Sequence, residues 1–487
     1  MPTYNGIEIT EDFYAFFAPH LINLISPIQA PREQDNVKLT YSVSAYLSVI
    51  ILGICQGATT MRQMALLSQD RAFQQQIAFL CEEGDTPRSQ NSFTNLTEQL
   101  GPSEFQQQYN LILQEFYESG AFIPFQVNGL RVGAIDGIEL HNHLYTDRQN
   151  VTPCPYCLKR VHKKGTEHER EECFHRQVIF SLVGPAGSVF WDQEPMYPSE
   201  DGHDKGSEKK AATRLLKRMA ESHLLDLIDV VVCDALYADA AFIRTATSYN
   251  IMPIIRIKQE NYNIMKEVTD LGEHLSFSKS DYDDERKRSY QYRVFEYLTS
   301  WQAYPDELCI VEIQEQLRDG TIQKARWVFP QIHASRLSPP IVREIGHLRW
   351  QEEINEFKLA NQHFDIKHIL HHEQNSIQIF LFLKLFVSAF ISLFLSQKEP
   401  GLQKKKCFAK DIIQIMRRWF VYGLCALYQY WLSCCCGVLW FLMFQSESMN
   451  LNDEVKGFDI YLWISVVWCH LHLSSRAQMK IILYDSG

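Results

Sequence analysis

The sequence carries no excess of positive charge. Its 47 lysines and arginines are outnumbered by 58 acids, for a net charge of −11. That balance argues against a protein coated in cations, and it leaves nucleic-acid binding to local patches, which matter more than the sum. The amino terminus, MPTYNGIEITEDFYAFF, has acids where a secretory signal needs cations, so no secretion is expected. There is no internal repeat, and no second Cys-x2-Cys pair of the kind that makes a strong zinc signature. The thirteen cysteines are odd in number and unevenly spread, which fits thiols and a metal site rather than a disulfide framework. What is present is apolar material: 46% of 487 residues, ample for a buried core and a chain of about three domains.

Residues 1–125 read as a helical N-terminal domain. VKLTYSVSAYLSVIILGICQG (37–57) is an apolar helix. GPSEFQQQYNLILQEFYESG (101–120) is another, with Ser103 and Gln106 in a capping-box pattern and Phe105, Tyr109, Ile112, Leu113 and Phe116 at core spacing. From about residue 128 strands and helices alternate. RVGAID (131–136) is a short apolar strand, RQVIFSLVG (176–184) and SVFWDQEP (188–195) form a hairpin, and 207–225 is a helix. DVVVCD (229–234) has the fully apolar run of a central parallel strand. A helix over 239–250 and a strand over 251–257 follow, then strand-like pieces across 260–335, then a helix over 338–362 with Ser338 and two prolines at its head. This order predicts an α/β protein: a ribonuclease H-like catalytic core over 126–259 and 338–398, a β-rich insertion over 260–337, and a Cys/His insert at 150–175.

Asp136 closes the first strand and Asp234 the strand DVVVCD. If these strands are parallel neighbours, both carboxylates emerge at the strand ends where α/β sheets gather catalytic groups. Each alone reads equally as a residue capping the next turn. Together they repel unless a divalent cation lies between them, and hard oxygen ligands favour Mg²⁺ or Mn²⁺. Two such ions can activate a water or 3′-hydroxyl and stabilise the leaving oxygen at a phosphodiester. A third carboxylate is expected from HLRWQEEINEFK (347–358). Periodicity does not choose between Glu352 and Glu353, since Arg349 lies within pairing reach of either.

Four segments resemble the DDE transposases of bacterial insertion sequences, in the group with a β-strand insertion before the glutamate. They are AIDGIEL (134–140), DGHDKGSEKKAATRLL (201–216), VVVCDALYADAAFI (230–243) with RIKQEN (256–261), and HLRWQEEINEFK with FDIKHILHHE (364–373). The resemblance covers roughly residues 30–395. The group's signature, Tyr-x2-Arg-x3-Glu-x6-Lys, fits Arg349, Trp350, Glu353 and Phe357 and not Glu352. The tyrosine, lysine and asparagine positions are occupied by Gly346, Ala360 and Ile354, with Lys358 as a substitute cation. The resemblance implies Asp136, Asp234 and Glu353 as a Mg²⁺-binding triad supported by Arg349. It also implies hydrolysis at transposon ends and strand transfer into target DNA, by a cytoplasmic, nucleoid-associated homodimer. The alternative is a degenerate relic that only binds DNA, which the departures and the tail favour.

CPYCLKRVHKKGTEHEREECFH (154–175) has thiolate and imidazole ligands at the spacing of a structural Zn²⁺. Relatives keep the Cys-x2-Cys and two histidines, which implies Cys154, Cys157, His162 and His175 as the ligands, with Cys173 as a substitute. In KHILHHE, His368, His371 and His372 read as phosphate contacts or packing rather than a second metal site. Phosphate contacts are expected from Lys205, Lys209, Lys210, Arg214, Lys217 and Arg218 on one helix, and from Arg256 and Lys258.

The resemblance fades after residue 400. WFVYGLCALYQYWLSCCCGVLWFLMF (419–444) is long enough to span a bilayer, but 399–487 reads as an atypical, non-native tail from a frameshift or readthrough of a decaying element. IQIFLFLKLFVSAFISLFLS (377–396), interrupted by Lys384, reads as a buried helix behind Glu353 rather than a membrane anchor.

Overall fold

The computed structural model describes residues 6–397, except 31–40, 71–72, 75–76, 78–86, 88, 141–155, 168, 199–206, 259–262, 273, 276, 284–286 and 352–356. The reading of the tail therefore lies outside the described residues. Among the described residues, the helices with given bounds before the first strand are α1 (Gly6–Ile25), α2 (Val43–Gln56), α3 (Met61–Leu67), α4 (Gln90–Gln99) and α5 (Pro102–Glu118). Ser42 caps α2 by accepting from the Ala45 N–H, and Gly57 ends it in the left-handed region. The capping box expected at Ser103 does not form. Pro102, which has no N–H to lose, starts α5 one residue earlier, so Ser103 lies inside the first turn. Gln106 reaches instead to the Trp191 carbonyl at 2.8 Å. The predicted face of α5, Phe105, Tyr109, Ile112, Leu113 and Phe116, is buried as expected.

These helices surround α11 (Gln374–Gln397), the apolar helix at the other end of the described chain. Its rings interlock with theirs: Phe390 lies 5.3 Å from Phe17 and 5.5 Å from Phe116, and Phe386 lies 5.4 Å from Tyr109. α11 is long and apolar enough to cross a membrane, but most of it is buried inside the protein. Its one cation, Lys384, donates to the Asp365 and His368 carbonyls at 2.8 and 3.1 Å.

Among the described residues, ten strands form one sheet in the order β2-β3-β1-β5-β6-β10-β9-β8-β7, with β4 on β3. They are β1 (Val132–Leu140), β2 (Leu158–His162), β3 (Arg170–Gly184), β4 (Gly187–Pro195), β5 (Val230–Cys233), β6 (Met252–Arg256), β7 (Ser278–Asp283), β8 (Arg288–Leu298), β9 (Leu308–Gln316) and β10 (Ile322–Pro330). β1 runs parallel to β5, and β5 parallel to β6, while β3 is antiparallel to β1. The five strands β4-β3-β1-β5-β6 make the ribonuclease H-like core. β5, Val-Val-Val-Cys, is wholly buried, as a central parallel strand covered on both faces must be.

Two boundaries differ from expectation. β1 continues past Asp136 to Leu140, because β3 pairs along all of it while β5 pairs only as far as Ile135. The Cys/His insert is not simply a loop: β2 pairs with a backward extension of β3, Leu158 opposite Phe174 and His162 opposite Arg170. The insertion strands β7–β10 extend the core sheet, joined where β10 meets β6 at Trp327 and Arg256. Buried Glu312 on β9 accepts from Arg293 at 3.0 Å and Arg326 at 2.6 Å, tying β8, β9 and β10.

Helix α6 (Ser207–Glu221) follows β4, and α7 (Ala240–Ser248) follows β5 with Asp239 as its cap. α8 (Asn263–Gly272) opens the insertion, and α9 (Pro339–Gln351) returns to the sheet, burying Val342, Ile345 and Leu348 at helical spacing. The helix expected over 338–362 is described as α9 and α10 (Lys358–Phe364). The stretch between them, with Glu352, Glu353 and Glu356, lies outside the described residues.

Candidate active site

The register fixes the central geometry. Ile135 is opposite Cys233 on parallel strands, and the next residue on each chain is Asp136 and Asp234. Both carboxylates thus stand at the carboxyl edge of adjacent strands. Asp136 Oδ1 accepts from the Gly137 N–H at 2.8 Å, and Asp234 Oδ1 from the Leu236 N–H at 2.7 Å. Burial pushes the Asp136 carboxyl up to about 6; the Gly137 N–H and Arg349 pull it down, and Glu208 and Asp234 raise it further.

Those influences bring in two further side chains. Arg349, from the last turn of α9, acts on Asp136 from the third element of the predicted site. Glu208, from the first turn of α6, is a carboxylate that the sequence reading passed over as part of a basic helix. It faces Gly137 so closely that a Cβ there would lie 2.8 Å from its carboxyl carbon. Tyr237 donates to Glu208 Oε1 at 3.1 Å. Burial raises the Glu208 carboxyl, Tyr237 and Arg176 oppose that rise, and Asp234 adds to it. The available signal was its place in DGHDKGSEKK, one of the segments carrying the resemblance.

Gly346 and Ala360 have local explanations. A Cβ at Gly346 would meet the Trp327 indole at 2.5 Å, so β10 fills the space where the signature has a tyrosine. Ala360 is fully buried, and a lysine there would bring a charge into the core, while Lys358 is exposed.

The predicted DNA contacts divide into two sets. Lys210 and Lys258 are exposed, and Lys205 lies outside the described residues. Lys209 pairs with Asp239 at 2.9 Å, beside a cleft that Glu208, Lys210 and Arg176 also line. Arg256 is half-buried, with its guanidinium 5.9 Å from the Trp327 ring centre; burial and Arg349 lower its pKa. Arg214 and Arg218 are turned inward. They bind Glu194 and Asp192 of β4, with Arg218 to Asp192 at 2.9 Å, because two buried acids there need partners.

Of the four expected zinc ligands, Cys157 and His175 come together, Cys154 lies outside the described residues, and His162 is placed elsewhere. His162 sits at the far end of β2, with Nε2 2.6 Å from Glu172. Extended backbone rises about 3.3 Å per residue, so five residues carry His162 roughly 16 Å from Cys157. His372 joins Cys157 and His175 instead. His371, its neighbour, turns to Glu98 at 2.6 Å.

A ribonuclease H-like sheet with aspartates where the parallel pairing of two adjacent strands ends defines the class: an α/β protein that concentrates carboxylates at one place in its sheet. The transposase DDE domain family matches residues 132–390, more than half of the sequence, and the chain belongs to that family. It is also similar to a solved piggyBac transposase synaptic complex with hairpin DNA, at 10% identity and a TM-score of 0.39, covering 85% of this chain and 79% of that one. No curated protein matches the sequence.

Proposed function

We propose that the protein is an active insertion-sequence transposase, catalysing metal-dependent phosphodiester hydrolysis at the element's ends and strand transfer into target DNA. The observation that carries this reading is the juxtaposition of Asp136 and Asp234 in a chain of the transposase DDE family. The donor set fits Mg²⁺ or Mn²⁺: hard carboxylate oxygens gathered at one sheet edge, where burial first, and then Glu208 and Asp234, raise the Asp136 carboxyl. Asp136, Asp234 and Glu353 would hold the ions, which when bound supply an activated water or 3′-hydroxyl and neutralise the leaving oxygen.

The protein's own groups prepare that site. Arg349 offsets the acidic charge from one side, one helical turn before Glu353 in the sequence. Tyr237 holds Glu208, which adds negative charge at the same edge. Lys209, Lys210, Arg256 and Lys258, with Lys205, are the cations this reading assigns to the phosphate backbone of DNA. The N-terminal helices would serve end binding or dimerisation, and the protein would act in the cytoplasm at the nucleoid. The Cys/His insert would hold a structural Zn²⁺ through Cys157 and His175, with Cys154 supplied by the Cys-x2-Cys spacing.

The test is cleavage and joining of the element's own terminal repeats with Mg²⁺. Asp136→Asn, Asp234→Asn and Glu353→Gln each abolish strand transfer while DNA binding persists. Full activity in Glu353→Gln with loss in Glu352→Gln would overturn the glutamate assignment. Binding without cleavage by the wild type would favour the relic.

A further inference from the structure

Cys157 Sγ lies 3.4 Å from His175 Nε2 and 3.1 Å from His372 Nε2, and the two imidazole nitrogens are 2.9 Å apart. These are the ligand atoms of three residues far apart in sequence, the histidines by 197 positions. Zinc bonds of about 2.3 Å to sulfur and 2.0–2.1 Å to nitrogen, at tetrahedral angles, put S and N roughly 3.5 Å apart and N and N roughly 3.3 Å apart. The observed triangle is within a few tenths of an ångström of that pattern. The thiol proton and one Nε2–H can serve two edges of such a triangle by hydrogen bonding. A cation at the centre satisfies all three atoms.

We infer that Cys157, His175 and His372 bind one Zn²⁺ that staples the β2–β3 insert to the chain entering α11. This rests on the reading of the insert as zinc-binding and replaces His162 by His372 in it. One soft thiolate and two imidazoles are a zinc-type donor set, and Cys157 and His175 are buried. Binding displaces the thiol proton to solvent, leaving Cys157 as thiolate. Cys173 lies two residues back along β3, on the same face as His175, but the donor atoms that lie together are those of Cys157, His175 and His372. The position of His372 gives the ion its role. It stands between α10 and the first turn of α11, downstream of Glu353, while Cys157 and His175 belong to the hairpin built on β3, the strand beside β1. The ion thus joins the last segment of the catalytic core to the strand pair beside β1.

Zinc content of the full-length protein, measured by mass spectrometry after purification without added metal, tests this. Co²⁺ substitution reports the thiolate by its charge-transfer absorption. Wild type and His162→Asn are expected to hold about one ion per chain, and His372→Asn and Cys157→Ser to bind it at least tenfold more weakly. His372→Cys, which restores a ligand, is expected to recover zinc with a stronger thiolate absorption, separating ligand loss from misfolding. Wild-type zinc content in His372→Asn, or a folded but zinc-free His372→Cys, overturns the inference. Zinc lost in His162→Asn and kept in His372→Asn overturns it while leaving an insert zinc in place. No zinc in any of the proteins removes both.

Discussion

The carboxylate edge and the Cys/His triangle lie near each other in one sheet, yet they are built in opposite ways. The first takes its carboxylates from adjacent strands that a parallel register brings together. The second takes two side chains from a hairpin and the third from a connection 197 residues from His175. The first is acidic and self-repelling, with Asp136 held up to about 6 by burial ahead of its charged neighbours. The second is a compact soft-donor group. A site for chemistry must bind its cation where a reacting oxygen also has access. A structural zinc site is instead closed by four protein ligands, of which this triangle offers three.

That contrast orders the consequences of mutation. The largest effect is expected at the strand ends. A metal centre supplies several kcal/mol at the transition state, so Asp136→Asn and Asp234→Asn should lower joining on the order of 10³-fold with DNA affinity retained, measured by gel assay and fluorescence anisotropy. Glu208→Gln should cost less, about 10–100-fold in cleavage, as groups that tune metal ligands do. Tyr237→Phe should cost less than Glu208→Gln, since it removes one hydrogen bond to that carboxylate. An unchanged rate in Glu208→Gln would assign Glu208 to the fold alone.

The next effects are on stability. Gly346→Ala forces a Cβ into the Trp327 indole and should destabilise by about 1–3 kcal/mol in denaturant unfolding. Combining it with Trp327→Leu should recover part of that loss, because the two positions share one space. Additive effects would mean that the indole is not the obstacle. A second effect on stability is a pH dependence. Burial lowers the Lys384 pKa to about 7, below the value of an exposed lysine. The unfolded chain therefore binds the extra proton between about pH 7 and 10, and wild-type stability relative to Lys384→Met should rise across that window, by about 1.4 kcal/mol per pKa unit at most. A flat difference would mean that the two carbonyl bonds fully compensate the burial.

The sequence made the strand-end aspartates legible because a buried parallel strand announces itself as an unbroken apolar run, and DVVVCD is one. The order of strands and helices supplied the core, the spacing on α5 supplied its buried face, and the apolar run of α11 marked it as a buried helix. Three features stayed hidden for physical reasons. Glu208 sits among lysines on a helix whose outer face is basic, and only the approach of Gly137 shows which way it points. His162 is near Cys157 in sequence, but β-pairing extends the intervening chain and carries it away. His372 is brought to the insert by the packing of α11 against β4, a contact that no local pattern encodes.

The central claim is that the paired aspartates are catalytic rather than turn caps. Both already accept a backbone N–H, as caps do. The decisive measurement is Mg²⁺-dependent joining of terminal-repeat DNA by wild type and Asp136→Asn, at protein concentrations that saturate binding. The account predicts joined product from the wild type and none above background from the variant, with equal DNA occupancy. Joining by Asp136→Asn at the wild-type rate would contradict it.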